Sequence, residues 1–147
     1  MLRWDDIIVP SLEYINNTIN PKIKKLYPDG YMGVNITTNG TLLTPDRIRI
    51  LKLYNCAPLL SIDGNKYTQD YNRPLRNGGS SFDLIEKNIP TLLNYFPNTT
   101  FRSTIIPDTV DHLYENFLFA IESGFTNYFA TPNKYEEWTK EKLEVLQ

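Results

Sequence analysis

A chain of 147 residues, 41% of them hydrophobic and 22% charged, has the composition of one globular domain with a sizeable core. Its formal net charge of −2 argues against a nucleic-acid-binding protein, which needs a clustered basic excess. Cys56 is the only cysteine, which excludes a disulfide framework. The sequence has neither an apolar run of ~20 residues nor a signal-peptide pattern. We therefore expect a cytoplasmic protein.

The N-terminal part of the chain predicts a helix followed by a loop. Apolar residues recur at helical spacing across residues 4–19, although Pro10 favours a late start or a kink in this helix. Residues 21–30 contain two prolines and an Asp-Gly pair, which indicate a loop that leads into the first strand.

Four strands are predicted, and a helix follows each of them. The strands are expected at residues 31–38, 58–62, 100–106 and 127–130. Capping residues, prolines and a glycine stop place the helices at residues 45–54, 81–95, 109–122 and 140–147, with a long polar loop at residues 63–79. Strands and helices that alternate at short intervals are typical of an α/β fold with a parallel sheet and right-handed crossovers.

Three of these strands alternate polar and apolar residues, whereas strands covered by helices on both faces are usually apolar throughout. Because side chains alternate across a strand, each polar set lies on one face of the sheet. The polar sets are Asn35, Thr37 and Asn39; Ser61 and Asp63; and Arg102 and Thr104. One face would therefore pack against helices while the other lines a barrel interior or a ligand cleft. A sheet whose second face is simply solvated is the alternative.

Several segments together resemble one enzyme superfamily. They are NITTNGTLL at residues 35–43, LSIDG at 60–64, DYNRPLRNGGSSFD at 70–83, RSTIIP at 102–107 and WTKEKL at 138–143. In this order and spacing they resemble radical S-adenosylmethionine (radical SAM) enzymes, in the branch that contains sulfatase-maturing and peptide-modifying, SPASM-type enzymes. The resemblance covers nearly the whole chain. It implies a partial (βα) barrel over residues 1–147, with about four parallel strands and outer helices.

The resemblance also implies which residues meet the cofactor. In similar enzymes the serine of the Ser-Ile-Asp-Gly motif and an arginine 12 residues later contact S-adenosylmethionine, and these positions are Ser61 and Arg73 here. A guanidinium suits a methionyl carboxylate because its planar fork can donate two parallel hydrogen bonds. Asn39, Asp63 and Arg102 are further candidates, as polar residues near the cofactor or the substrate. For Asn39 a structural role in a turn is an equal alternative.

Two features of the family have no counterpart in this sequence. The family binds a [4Fe–4S] cluster through three cysteines after its first strand, and it holds the methionyl amine with a Gly-Gly-Glu segment after its second. Residues 1–5, MLRWD, resemble the residues directly after that Gly-Gly-Glu segment, so the first two βα units and the C-terminal auxiliary domain are expected to be missing. One cysteine cannot replace three, so we expect no metal site and interpret Cys56 as a small buried hydrophobe. His112, the only histidine, is interpreted as a surface residue.

The favoured interpretation is a fragment of a radical SAM enzyme. The full-length parent would reductively cleave S-adenosylmethionine to a 5′-deoxyadenosyl radical and modify a peptide or protein, and this chain would be inactive alone. The alternative is a stand-alone binding or interaction module, in which the exposed strand edge pairs with a partner or forms a homo-oligomer. A barrel enzyme of other chemistry has no acid–base or nucleophile constellation to support it. The sequence does not identify the substrate.

Overall fold

Four strands form a single parallel sheet in a computed structural model that describes residues 4–30 and 32–146. In spatial order they are β1 (Val34–Thr38), β2 (Cys56–Ser61), β3 (Thr100–Ile105) and β4 (Asn127–Pro132). Every neighbouring pair is parallel, so helical crossovers connect the strands. The α/β fold predicted from the sequence is therefore confirmed. Residue 31, where the first strand was expected to begin, lies outside the described residues, as do residues 1–3 and 147.

In chain order, the helices of the described residues are α1 (Trp4–Tyr14), α2 (Asn20–Leu26), α3 (Pro45–Leu53), α4 (Lys66–Asn72), α5 (Phe82–Glu86), α6 (Ile89–Tyr95), α7 (Leu113–Glu122) and α8 (Lys140–Glu144). A π-helical turn, Ile15–Ile19, joins α1 to α2, and a 3₁₀ turn, Pro107–His112, precedes α7. None of the described helices is long and apolar enough to cross a membrane.

Local signals located several of these helices correctly. The Thr44 hydroxyl accepts the N–H of Arg47 at the start of α3, and Pro45 occupies the first turn. Gly124 ends α7 with a φ of 92°, a left-handed conformation that glycine adopts without strain. Single residues therefore determine where these two helices begin or end.

The N-terminal helical segment is longer than predicted. α1 includes Pro10, and α2 continues to Leu26, where a loop was expected. Pro21 lies in the first turn of α2, a position that tolerates a missing N–H. Asn20 is buried, and its side-chain oxygen accepts the N–H of Met32 at 3.0 Å. The hydrogen bond ties this segment to the chain that enters β1.

The polar loop expected at residues 63–79 contains a helix, α4. The Asn65 side chain caps it by accepting the N–H of Thr68 at 3.1 Å. Thr68 and Gln69 of α4 are buried, so this helix packs through polar side chains. Apolar periodicity could not indicate such a helix. The helix predicted at residues 81–95 is instead two helices, α5 and α6, which separate just before Pro90.

Within the described residues, helices cover one face of the sheet and leave the other open. The covered face contributes Cys56, Leu60 and Phe101, all buried, and the core continues into the helices through Ile48, Leu51, Ile89 and Leu92. The opposite face, called the open face below, carries the exposed residues Asn35, Thr37, Ala57, Arg102 and Phe129 and the partly exposed Ser61 and Thr104. The two-faced sheet predicted from the polar alternation is confirmed. Asp63, predicted on the polar face with Ser61, instead lies beyond the end of β2 and is buried, because Arg73 and the N–H of Thr104 donate to its carboxylate.

Candidate functional site

A cleft lies where β1 and β2 end, at the carboxyl edge of the sheet. Its volume is about 270 Å³, and its lining residues are Asn39, Thr41, Gln69, Arg73, Pro74, Leu75, Arg76 and Ser81. Ligands of parallel α/β sheets bind at this edge, because the loops that follow the strands meet there. Two of the predicted site residues, Asn39 and Arg73, therefore line one cleft.

A buried ion pair holds Arg73 at this cleft. The Arg73 guanidinium donates from Nε to Asp63 Oδ2 at 2.8 Å and from Nη2 to Asp63 Oδ1 at 3.0 Å. Nη2 also donates to the Thr104 hydroxyl at 3.3 Å. The Asp63 side chain is only 2% exposed, whereas that of Arg73 is 35% exposed. The carboxylate is thus part of the interior, and the guanidinium forms the boundary with the cleft.

The loop after β2 is held by further hydrogen bonds around Asp63. Its N–H donates to Gln69 Oε1 at 2.8 Å, and its backbone oxygen accepts the Ser103 hydroxyl at 3.0 Å. Gln69, which is fully buried, donates in turn to the Ser81 hydroxyl at 2.9 Å. Two walls of the cleft, α4 and the start of α5, are therefore connected to the loop after β2.

Ser61 and Arg102 occupy adjacent positions on the open face. They are paired in register at the β2–β3 boundary, where Ser61 is partly exposed and Arg102 is exposed. Arg102 lines a second cleft of about 280 Å³, together with Thr104 and residues that follow β4 such as Asn133 and Lys134. Thr104 contacts Arg73, so the two clefts adjoin at this residue.

Asn39 has the geometry of a turn residue, which is the alternative to a role near the cofactor. Its side-chain oxygen accepts both the N–H of Thr41, at 3.2 Å, and the Thr41 hydroxyl, at 2.9 Å. The same two residues line the cleft beside Arg73. The turn therefore shapes the cleft wall.

Sequence reasoning did not name four residues of the site as candidate site residues: Gln69, Asn72, Ser81 and Thr104. Several of their contacts join residues far apart in the sequence, by 12 positions in Gln69–Ser81 and by 41 in Thr104–Asp63. The Asn65 cap was the one local signal that could have revealed α4 and its polar buried face.

No three His, Cys, Asp or Glu side chains come together as a metal site within residues 4–30 and 32–146. Cys56 is completely buried in the core, and this burial raises the pKa of its thiol. His112 is partly exposed and packs against the ring of Tyr67, with 4.7 Å between ring centroids.

Comparison with known proteins gives one family and one group of structures. The profile described as the Radical SAM superfamily matches residues 10–120. Native anSMEcpe with bound AdoMet matches with a TM-score of 0.67 at 22% identity, over 88% of this chain and 36% of that chain. Native anSMEcpe with bound AdoMet and Cp18Cys peptide matches with a TM-score of 0.70 at 22% identity, over 88% of this chain and 37% of that chain.

At this identity the likeness to anSMEcpe concerns the fold. The chain spans little more than a third of the length of those structures. No curated protein matches the sequence closely enough to count as a relative.

Proposed function

Because its residues 10–120 match the superfamily profile, the chain belongs to the radical SAM superfamily, and we propose that it forms one wall of an S-adenosylmethionine site in an enzyme that modifies a peptide or protein. Its four parallel strands and outer helices are those of a partial radical SAM barrel. The observation that carries the proposed function is the Arg73 guanidinium, which is fixed at the carboxyl edge of the sheet and faces a cleft.

The residues of the cleft suit the methionyl end of S-adenosylmethionine. A carboxylate needs nitrogen donors, and Arg73 still has its Nη1 group, for which no described residue supplies an acceptor. The cleft of about 270 Å³ is smaller than the ~300–1,000 Å³ of ligand pockets that enclose a small molecule. This size favours a partial wall over a complete pocket.

Each candidate residue then has a distinct part in binding. Arg73 binds the methionyl carboxylate, and the Ser61 hydroxyl at the end of β2 binds a carboxylate or ribose oxygen. Asn39 lines the cleft beside Arg73, and Arg102 faces the cofactor or the substrate from the open face. S-adenosylmethionine supplies radical chemistry when it is bound in a complete site; the described residues orient it and limit its contact with water.

The residues of this chain do not fit a [4Fe–4S] cluster. Such a cluster needs several thiolate ligands, and the single cysteine lies in the apolar core with a raised thiol pKa. We therefore place the cluster in a polypeptide segment other than these 147 residues, and we propose that this chain alone is not catalytic.

A peptide or protein, as in the SPASM-type branch, is the substrate class that we propose for the parent enzyme. The matched anSMEcpe structures include complexes with Cp18Cys and Kp18Cys peptides. The open face carries polar side chains beside the exposed ring of Phe129, a mixture that suits peptide backbone and side chains.

A binding or interaction module is the second candidate. β1 and β4 each pair with one neighbour within the described residues, so each leaves an outer edge of N–H and C=O groups. Such edges pair readily with strands of another chain. A partner, or a second copy of this chain, would then complete the sheet.

Calorimetric titration of the purified chain with S-adenosylmethionine tests the first candidate. We expect binding that Arg73→Ala weakens by about ten- to a hundredfold, because a hydrogen bond to a charged group is removed. The matched control is Arg49→Ala, since Arg49 is exposed and pairs with Asp46 on α3, away from the cleft. A folded wild-type chain that gives no binding would contradict the proposed cofactor wall and favour the interaction module.

A further inference from the structure

The buried carboxylate behind Arg73 has a role of its own. We propose that Asp63 is a positioning residue, which contacts no ligand and orients Arg73 so that its Nη1 group donates to a ligand carboxylate in the cleft. This role rests on the proposed function of the same cleft and adds to it the atom that meets the ligand.

The acceptor sites of Asp63 are fully used. An ionised carboxylate offers about four lone-pair sites on its two oxygens. Oδ1 accepts from Arg73 Nη2 at 3.0 Å and from the backbone N–H of Thr104 at 2.9 Å. Oδ2 accepts from Arg73 Nε at 2.8 Å and from Asn72 Nδ2 at 3.2 Å. With the side chain 2% exposed, no acceptor site remains for a ligand.

The partners of Asp63 also fix its own orientation. Thr104 belongs to β3, and Asn72 ends α4 while its side-chain oxygen accepts the Thr109 hydroxyl at 3.2 Å. Two elements, β3 and α4, therefore hold the carboxylate plane directly, and the 3₁₀ turn supports it through Asn72. Because a bidentate pair is planar, the plane of the Arg73 guanidinium follows from that of Asp63.

The donors of Arg73 divide between the interior and the cleft. A guanidinium has five N–H bonds, one on Nε and two on each Nη. Nε and Nη2 point to Asp63 and Thr104, which accounts for three of them. The two on Nη1 remain, on a side chain that is 35% exposed and lines the cleft. A ligand carboxylate would therefore meet Nη1 first.

The direction in which one substitution changes the affinity distinguishes a positioning role from simple electrostatic attraction of the ligand. Asp63→Asn keeps the shape of the side chain but removes a negative charge next to the cleft. If only the local charge mattered, this variant would bind an anionic group more tightly. If Asp63 orients Arg73, the variant binds it more weakly, because the fork loses its second oxygen acceptor.

Calorimetry with two ligands measures the direction of this change in affinity. We expect Asp63→Asn to weaken binding of S-adenosylhomocysteine, which keeps the amino-acid end but lacks the positive sulfonium, by about ten- to a hundredfold. Binding of 5′-methylthioadenosine, which lacks the amino-acid end, should stay unchanged. Asp46→Asn, an exposed carboxylate on α3, is the matched control. Equal or tighter binding of S-adenosylhomocysteine by Asp63→Asn would overturn the positioning role, and so would a parallel loss for both ligands.

A second variant covers the case in which Asp63→Asn does not fold. Arg73→Lys keeps the ion pair with Asp63 but has one nitrogen, so nothing corresponds to Nη1. We expect it to melt near the wild-type temperature and to lose the same affinity for S-adenosylmethionine as Arg73→Ala. Wild-type affinity in Arg73→Lys would overturn the assignment of Nη1.

Nuclear magnetic resonance of the Nε–H group gives a readout without any ligand. The Arg73 signal, assigned by its disappearance in Arg73→Lys, should be sharp and slow to exchange in the wild type and exchange-broadened in Asp63→Asn. If the wild-type chain binds no S-adenosylmethionine, the proposed function fails. The signal then decides the orienting role alone: its persistence in Asp63→Asn overturns that role, and its loss supports it.

Discussion

At the scale of single residues, the packing around Gly64 leaves no room for a side chain after Asp63. A Cβ atom at this position would lie 2.0 Å from the side-chain oxygen of Asn116, a buried residue of α7. That oxygen accepts the N–H of Asn65, the residue that caps α4, at 3.1 Å. The glycine therefore leaves room for a side chain from another helix to hold the start of α4.

We expect Gly64→Ala to lower the free energy of unfolding by about 1–3 kcal/mol, the range for inserting a methyl group into a packed site. Urea denaturation measures the loss. Gly78→Ala is the control, because a Cβ there meets open space and only its φ of 76° opposes a side chain. The double variant Gly64→Ala, Asn116→Ala should recover part of the loss, and no recovery would show that the clash lies elsewhere.

Cys56 gives a second test at this scale. Burial raises the pKa of its thiol, so the folded state favours the protonated form. The corresponding stability is complete below the unfolded thiol pKa of about 8.5 and declines as pH rises from there towards the folded pKa. We therefore expect a thiol reagent such as dithionitrobenzoate to label the folded chain only as fast as the protein unfolds. Rapid labelling of the folded chain at neutral pH would contradict the burial of Cys56.

At the scale of elements, charged and polar side chains join α4 to α5. Asp70 of α4 accepts the N–H of Phe82, the first residue of α5, at 3.0 Å. Lys66 lies 3.6 Å from Asp70 and also pairs with Asp83. Burial alone would raise the pKa of Asp70, but the hydrogen bonds of Phe82 and Ser80 and the charge of Lys66 bring it below its ordinary value. Two short helices are thereby kept together without a large apolar contact.

The lowered pKa of Asp70 predicts a pH dependence. The stability from its ionised form is present above the unfolded pKa of about 3.9 and is lost as pH falls towards the folded pKa. We expect Asp70→Asn to lower the unfolding free energy by about 0.5–1 kcal/mol at pH 7, and the difference to shrink below pH ~3. Urea denaturation at both pH values measures it, with Asp46→Asn as an exposed control. An equal difference at both values would refute the electrostatic origin.

The accuracy of the sequence prediction also differs between elements. The Thr44 cap and the Gly124 stop act on their immediate neighbours, so the start of α3 and the end of α7 were predictable. α4 was not, because Gln69 is buried through hydrogen bonds to Asp63 and Ser81 that only the tertiary structure supplies. At the site, five sequence segments carried the family resemblance, and the resemblance assigned Ser61 and Arg73 to the cofactor. Their own spacing could not show that Asp63 occupies two of the donors of Arg73.

At the scale of the whole molecule, the sheet is covered on one face only. The open face exposes apolar as well as polar groups, including 54% of Phe129. The outer edges of β1 and β4 have no neighbouring strand within the described residues. A surface of this kind favours association with a second polypeptide.

We expect the isolated chain to associate with itself as its concentration rises. Light scattering after size exclusion should give an average mass that increases above the 17.1 kDa of one chain. Phe129→Asn should reduce this association, whereas Leu26→Asn, an exposed apolar residue of α2, should not. A constant mass of one chain at every concentration would argue against a role for the open face in assembly.

The hydrogen bonds around Asp63 also determine when the cleft can form during folding. Two of them, Asp63–Ser103 and Asp63–Thr104, join residues 40 or 41 positions apart, and the Asn65–Asn116 bond spans 51. Contacts of such long sequence separation require closure of a large loop and form late. A nascent chain that has emerged only as far as β2 and α4 therefore has the complete Ser-Ile-Asp-Gly motif but no fixed Arg73. The arrangement of Asp63 and Arg73 is complete only after β3 and α7 have joined the domain.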